Sequence, residues 1–395
     1  MLPRPRATAL LLAACLLPAC RNATSNSSSS APVLGPSALG ANGCFGPNQI
    51  FVAPQTPVQV PLATLVLGPF SQLTAAAGAE LLYVTGANAT VFALDVSGAT
   101  PVETELLGPG AVAFLLNLHG VSATPELSGV AVLDATQLVL VEHASNSLLF
   151  CDRTTPNTLG PYAGEFNETP GFADGLAGGT SGLARFSFTQ PTQIAVTSES
   201  VPGVVVADVG NHALRLVSSS TGVSAVTTLA GTGSAGFGNG DVTFASFDTP
   251  SGLTLSCNSQ VILSERGDNG LGQRLRSVQI DSTNPFGGWF GNASTVAGDG
   301  TAGSTEGVST AAELSSPVSP LVTAQGEIYW IDSGTGILRR KKADGSCDCP
   351  LELDCATAVT TPTFTAGHAY ALTQTSSGVL YVLDGTAGVL WRVTP

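Results

Sequence analysis

VVVADVGNHALRLV, residues 204–217, is followed closely by VTTLAGTGSAGFGNGDVTFASFDTPSGL, residues 226–253. The first run opens with five residues, Val204 to Asp208, of which four are apolar, long enough for one buried strand. Asp208 ends it, and Val-Gly-Asn-His supplies a turn in which Gly and Asn tolerate backbone that other residues resist. Ala213 to Val217 then reads as a second strand and Val226 to Ala230 as a third. Pro250 to Leu253 begins the next apolar run. Strand, acid, turn, strand, turn, strand, glycine-rich loop is therefore the unit, and helical periodicity is absent from it.

The same unit recurs along the chain. Strand-like runs LLYVTG (81–86), LVLVEH (138–143), VILSERGDN (261–269), IYWIDSG (328–334) and LYVLDG (380–385) join the central one. Their anchor positions are Gly86, Glu142, Asp208, Glu265, Asp332 and Asp384, separated by 56, 66, 57, 67 and 52 residues. An apolar segment precedes most anchors, as in PELSGVAVL, PTQIAV, PSGLTL and PVSPLV. A strand follows, as in RLRSVQI (274–280), GILRR (336–340) and GVLWRV (388–393). VTTLAG (226–231), STVAG (294–298) and ATAVTT (356–361) supply fourth strands. Four short strands per unit and six units predict an all-β fold, a six-bladed β-propeller with antiparallel blades. The chain ends just after the third strand of unit six, so QVPLATLV (59–66) is expected to supply the missing strand and close the ring, removing two open sheet edges.

Composition agrees with that architecture. Gly (46) and Pro (25) account for 71 of 395 residues, which disfavours helical bundles. Charged residues are 11%, with 28 acids against 14 bases and a net charge of −14, so a nucleic-acid partner is not expected. Arg339-Arg340-Lys341-Lys342 is the one basic cluster and reads as a solvated blade edge.

The N-terminus carries an export signature. Arg4 and Arg6 precede an apolar run, Ala7 to Leu17, of signal-peptide length and too short to span a membrane. Leu17-Pro18-Ala19-Cys20 resembles a bacterial lipobox, making Cys20 the lipidation candidate, with simple secretion as the competing reading. The domains are then a signal peptide (1–20), a Ser/Asn-rich flexible linker (21–43) and the propeller (44–395). The expected localisation is extracytoplasmic, secreted or lipid-anchored to the cell envelope, with no transmembrane span.

Residues 204–217 and 226–253 together resemble the NHL repeat: a hydrophobic strand, Asp, Asn, an Arg-bearing strand, then AGTG, Gly, Asp, A-x-F and P-x-G. GFADG (171–175) with ARFSFTQPTQI (184–194) repeats it, and TVAGDGTAG with LSSPVSPL repeats it more loosely. The resemblance covers residues 120–350 and implies a six-bladed propeller. It implies no single activity, because propellers of this kind serve as scaffolds, binders and enzymes.

Several motifs carry competing readings. GTGSAG (231–236) and GDGTAG (298–303) match a dinucleotide pattern, but no helix follows either, so they read as repeat turns. The anchor acids either line a channel and hold a cation or, the favoured reading, accept hydrogen bonds in the adjoining turn. The four histidines, His119, His143, His212 and His368, lack metal-ligand spacing. In CDCPLELDC (347–355), placed between the third and fourth strands of unit five, Cys355 is expected to bond Cys347 or Cys349. Cys151 and Cys257 read as buried thiols.

The long loops 164–190, 231–249 and 298–316 are expected to share one face with the turns after the anchors. Phe172, Asp174, Asp208, Asn211, Phe237, Asp241 and Asp332 are the candidate binding residues of that face. The functional reading is a non-catalytic binding module for a protein or glycan, without a cofactor. The alternative is a propeller hydrolase or lyase with calcium or zinc in the channel. A purely structural envelope protein is the third reading.

Overall fold

The structure is a computed structural model that describes residues 56–393, apart from 167–168, 179–182, 190–191, 198–202, 221–222, 257–259, 282–289, 324–325, 352–354 and 356–362. The signal peptide, Cys20, the linker, Cys44, Cys257 and the strand expected at 356–361 lie outside the described residues.

Six antiparallel sheets form six blades. Blade one is Leu73–Ala75, Leu81–Gly86, Thr90–Asp95 and Val102–Leu107, and blade two is Leu127–Val132, Gln137–Glu142, Ser147–Asp152 and Leu159–Ala163. Blade three is Ile194–Val196, Val204–Asp208, Ala213–Ser220 and Val223–Ala230, and blade four is Pro250–Leu255, Val261–Glu265, Arg274–Asp281 and Phe290–Ala297. Blade five is Pro317–Val322, Ile328–Asp332, Ile337–Lys341 and Cys347–Asp348. Blade six has Tyr370–Gln374, Leu380–Asp384 and Val389–Val393, and its outer strand is Val58–Val60, with Val58 opposite Arg392 and Val60 opposite Leu390. The ring closes through an N-terminal strand as the sequence predicts, but the strand is Val58–Val60 and only residues 59 and 60 of the expected 59–66 take part.

Alternation along each strand builds the core. In blade three, Val204 and Val206 point into the junction with blade two, while Val205 and Ala207 point into the junction with blade four. Each of the six junctions between neighbouring blades holds an apolar cluster of this kind. The second strands are thus buried on both faces, which is why they read as continuous apolar runs.

The glycine-rich loops do not stand free on a face. Gly175–Leu176 pairs with the outer strand of blade three, opposite Val226 and Ala225, and Gly240–Asp241 pairs with the outer strand of blade four. These two loops fold back as short fifth strands on the rim, while the 298–316 loop makes only isolated bridges. CDCPLELDC also differs from expectation, since Cys347–Asp348 is itself the outer strand of blade five. The bond forms between Cys349 and Cys355, while Cys151 and Cys347 are buried thiols. The longest α-helix described, α1 (Ala111–Leu118), joins blades one and two, and no helix among the described residues is long and apolar enough to cross a membrane.

Candidate functional site

The anchor acids of blades three to five hold the rim loops down. Arg215 lies on the strand beside Asp208, two positions past that acid's cross-strand partner, so both side chains share a face. Its guanidinium donates to Asp208 Oδ2 (2.8 Å), the Arg185 and Ala173 carbonyls, and Asp174 Oδ1 (2.9 Å). It lies between the rings of Phe172 (5.0 Å) and Phe186 (5.3 Å). Blade four repeats this with Arg276, Glu265, Asn239, Phe237 and Phe247. Blade five repeats it with Arg339, Asp332 and Trp330.

Each of these pairs is fully buried. Burial pushes the carboxyls of Asp208 and Asp332 up to about 6 and that of Glu265 up to about 7, against the pull of the arginines and the N–H donors. Glu142 has no arginine and instead accepts from Ser145 and the Ala144 and Glu126 N–H groups. Asp384 accepts from His368 and the Ala387 N–H.

Three of the predicted binding residues are therefore internal. Asp208, Asn211 and Asp332 are buried, and Asn211 Nδ2 donates to Asp208 and to the Gly171 carbonyl. Phe172 (43% exposed) and Phe237 (45%) keep one ring face in solvent while the other covers an arginine. Asp174 and Asp241 are exposed on the rim loops, and Asp241 caps Thr243. Phe172, Asp174, Asp208 and Asn211 gather around Arg215, whereas Phe237 and Asp241 belong to blade four and Asp332 to blade five. The basic cluster is also not a solvated edge: Arg339 and Arg340 are buried, and Arg340 forms a two-pronged pair with Asp348.

The concave site lies instead on the propeller axis. The residue facing the one before each anchor sits at the waist of the channel. That residue is Gln72 in blade one, Gln193 in blade three, Gly252 in blade four and Ala371 in blade six. Gly129 of blade two lies against Val141, one before its anchor, and Ser319 of blade five lies in a bulge at the same level. Gln193 Nε2 donates across the axis to Gln72 Oε1 (3.1 Å) and Ser319 Oγ (2.6 Å), while its Oε1 accepts from the Leu253 N–H (3.1 Å). Ser319 Oγ also accepts from the Leu372 N–H.

Side chains from blades one, three and five thus meet in an axial latch, and small residues of the even blades make room for it. A Cβ on Gly252 would stand 2.6 Å from the Ser319 nitrogen, and one on Gly129 would meet the Thr192 carbonyl. Those blades have no space for a side chain.

The latch separates two chambers, and Gln72 and Gln193 line both. One opens among the turns between first and second strands and is walled by Ala, Val, Leu and Thr. The other, of about 340 Å³, opens on the face of the anchor turns. Its wall carries Phe70, Tyr370, Ser251, Ser333, Arg266 and His368, and no carboxylate among its lining residues. Beneath Phe70 lies His143, whose ring centroid is 4.7 Å away. Its Nε2 meets Ser128 Oγ at 2.7 Å and its Nδ1 meets the Phe188 carbonyl at 3.1 Å. Burial drives His143 down to about 4, so it is neutral at pH 7.

A channel cation finds a poor donor set here. The described lining supplies one imidazole, His368, already paired with Asp384, and no carboxylate of the kind calcium collects. The one group of three His, Cys, Asp or Glu donors among the described residues is Glu306 with Cys349 and Cys355, away from the channel, and its sulfurs are joined in the disulfide.

No protein-family model matches the chain, and no curated protein matches it. Solved structures do. An auxiliary nutrient binding protein from Bacteroides ovatus aligns with a TM-score of 0.54 at 10% identity, over 87% of this chain and 77% of that one. The gluconolactonase XC5397 from Xanthomonas campestris aligns with a TM-score of 0.51 at 14% identity, over 86% and 96%. A streptogramin B lyase aligns with a TM-score of 0.50 at 13% identity, over 86% and 97%. Identities this low establish the six-bladed propeller fold alone. Membership of the NHL-repeat family is not shown.

Neither Gln193 nor the chamber above it was among the sequence candidates. The available signal was a glutamine directly before a first strand, at Gln72 and again at Gln193.

Proposed function

We propose that this chain is an exported binding module that takes a glycan at the anchor-face mouth of its channel without catalysing a reaction on it. The observation that carries the reading is the chamber itself. A cavity of about 340 Å³ lies at the small end of the ~300–1,000 Å³ typical of ligand pockets. Its wall offers hydroxyls and amides with flanking aromatic rings, the lining that suits a polyhydroxylated ligand.

The hydrolase or lyase alternative draws support from the names of two fold neighbours, a gluconolactonase and a lyase. The donor set of the channel does not fit the metal that this alternative requires. Export is supported by the N-terminal apolar run and by the Cys349–Cys355 bond, which suits an oxidising compartment.

A glycan array probed with the purified protein, followed by titration calorimetry and elemental analysis of the same sample, tests the proposal. Saturable binding that EDTA leaves unchanged is expected. Stoichiometric calcium or zinc that survives dialysis, together with turnover of a bound glycan, would replace this reading by the enzyme one.

A further inference from the structure

The chamber on the far side of the latch takes no part in the glycan reading. It opens among the turns between first and second strands, and the first strands of all six blades wall it. Beyond the waist, each of those strands sets two successive residues against the chamber, and alternation sends them toward opposite blade junctions. In blade three, Ile194 packs toward blade two and Ala195 toward blade four.

The first residue of each pair is Leu, Val, Ile or Pro, which makes a wide apolar belt next to the latch. The second belt is Thr74, Ala131, Ala195, Thr254, Leu321 and Thr373. Five of these six are Ala or Thr, and their small side chains leave a cavity of about 130 Å³ on the axis. Thr74, Ala195 and Thr254 are partly exposed although they stand on inner strands, so the space they border is the channel itself.

The chain has 28 acids and 14 bases, yet no acid or base is among the described residues of this lining. Most of the polar side chains in the wall already have protein partners. Thr373 Oγ1 accepts from the Ala75 N–H (3.2 Å), Gln374 Nε2 donates to the Gly378 carbonyl (2.8 Å), and the Thr375 hydroxyl meets that of Ser377. Gln72 and Gln193 bond each other at the closed end. At the mouth, Ser376 Oγ donates to Glu80. Burial raises the Glu80 carboxyl, but hydrogen bonds from Thr375, Ser376 and Ser377 outweigh it and hold the group below its ordinary value, ionised at pH 7. A charged or strongly polar ligand would give up its water here and find little in return. An anion would also pass Glu80. An uncharged apolar group meets neither cost and takes its own surface out of water.

We propose that this cavity is a second binding site, one that takes an uncharged aliphatic chain. An apolar cavity of ~150 Å³ holds a benzene molecule, so about 130 Å³ accommodates a chain of roughly four to six carbons. The site stands apart from the glycan chamber, because the latch lies between them, and it does not depend on the glycan reading. Water is the competing occupant. A water held there needs two or more polar partners, and most of the wall's polar groups are bonded to one another.

The test is titration calorimetry of the whole chain with 1-propanol, 1-butanol, 1-pentanol, 1-hexanol and hexanoate. Each added CH₂ is expected to tighten binding about fourfold until the chain fills the cavity. Hexanoate should bind roughly tenfold more weakly than 1-hexanol, because its charge is desolvated without a partner. Ala195→Leu and Thr254→Leu fill the cavity from two neighbouring blades, and each should abolish 1-hexanol binding with a melting temperature close to wild type. If either variant does not fold, the alcohol series on wild type decides alone. Affinity that does not rise with chain length would overturn the proposal, as would 1-hexanol binding undiminished in both folded variants. Hexanoate binding as tightly as 1-hexanol would overturn the assignment of an uncharged ligand. Failure of every saccharide on the glycan array would leave this site standing.

Discussion

Acidification from pH 7 to pH 5 is expected to withdraw the stability that one side chain, His143, contributes to the propeller. A carbonyl can only accept, so Nδ1 carries the proton and donates to Phe188, and Nε2 accepts from Ser128. Both ring nitrogens are therefore satisfied in the neutral form, in a site closed by Phe70 and Phe188. Protonation there means placing a charge away from water, and the folded value drops to about 4.

In the unfolded chain the ring returns to ~6.5. Between these values the unfolded state binds a proton that the folded state refuses, so the His143 contribution to stability falls as pH falls from 6.5 to 4. Linkage puts the loss from pH 7 to pH 5 at about 2 kcal/mol, approaching ~3 kcal/mol below pH 4. The raised carboxyls of Asp208, Glu265 and Asp332 titrate nearby with the opposite sign, because there the folded state takes up the proton first. They are common to wild type and variant and cancel in a difference. Guanidinium unfolding at pH 7 and pH 5, followed by fluorescence of the three tryptophans, is therefore run on wild type and His143→Gln. The variant should lose about 2 kcal/mol less than wild type over that interval. An equal loss in both proteins would refute the assignment of His143 as a buried neutral ring.

Three further outcomes are expected. Arg215→Met leaves Asp208 buried without its guanidinium and frees the 164–190 loop; it should cost about 3–5 kcal/mol in denaturant unfolding and expose that loop to limited proteolysis. Cys349→Ser opens a loop with a sequence separation of 6, so a loss of roughly 2 kcal/mol is expected; thiol titration should then show one further free cysteine, Cys355. Gln193→Leu removes the latch and leaves the Leu253 N–H unpaired at the waist, costing about 1–3 kcal/mol; hydrogen exchange should rise at the first strands of blades one, three and five together.

The blades were legible because period-2 alternation and a strand-ending acid are local signals. Val204 to Val217 announces its own pairing, and the spacing of the anchors counts the units. Ring closure was legible by elimination, since unit six lacked a strand and residues 59–66 had no other use, although the strand itself is Val58–Val60. The rim loops were not legible. Asp174 reaches Arg215 across 41 residues, and nothing near Asp174 in the sequence says that its partner is buried. Arg339 and Arg340 misled for the same reason. A run of four basic residues reads as solvated until Asp332 on one neighbouring strand and Asp348 on the other are seen to receive them.

The residues that recur most faithfully here explain the fold and say little about the ligand. Asp208, Glu265 and Asp332 repeat because the rim loops of blades three to five use the same buried pair, so their recurrence measures a structural demand of those blades. A ligand on the axis meets only one copy of each inner-strand residue, and it meets six different blades at once. Recognition there has to come from positions where the repeat is broken. The waist is such a place: Gln72, Gln193 and Ser319 stand on odd blades, while Gly129, Gly252 and Ala371 stand on even ones. Six identical glutamines would collide, and six glycines would leave an open, featureless bore. Alternating large with small lets three side chains meet, closes the channel and gives the chamber above it a polar floor.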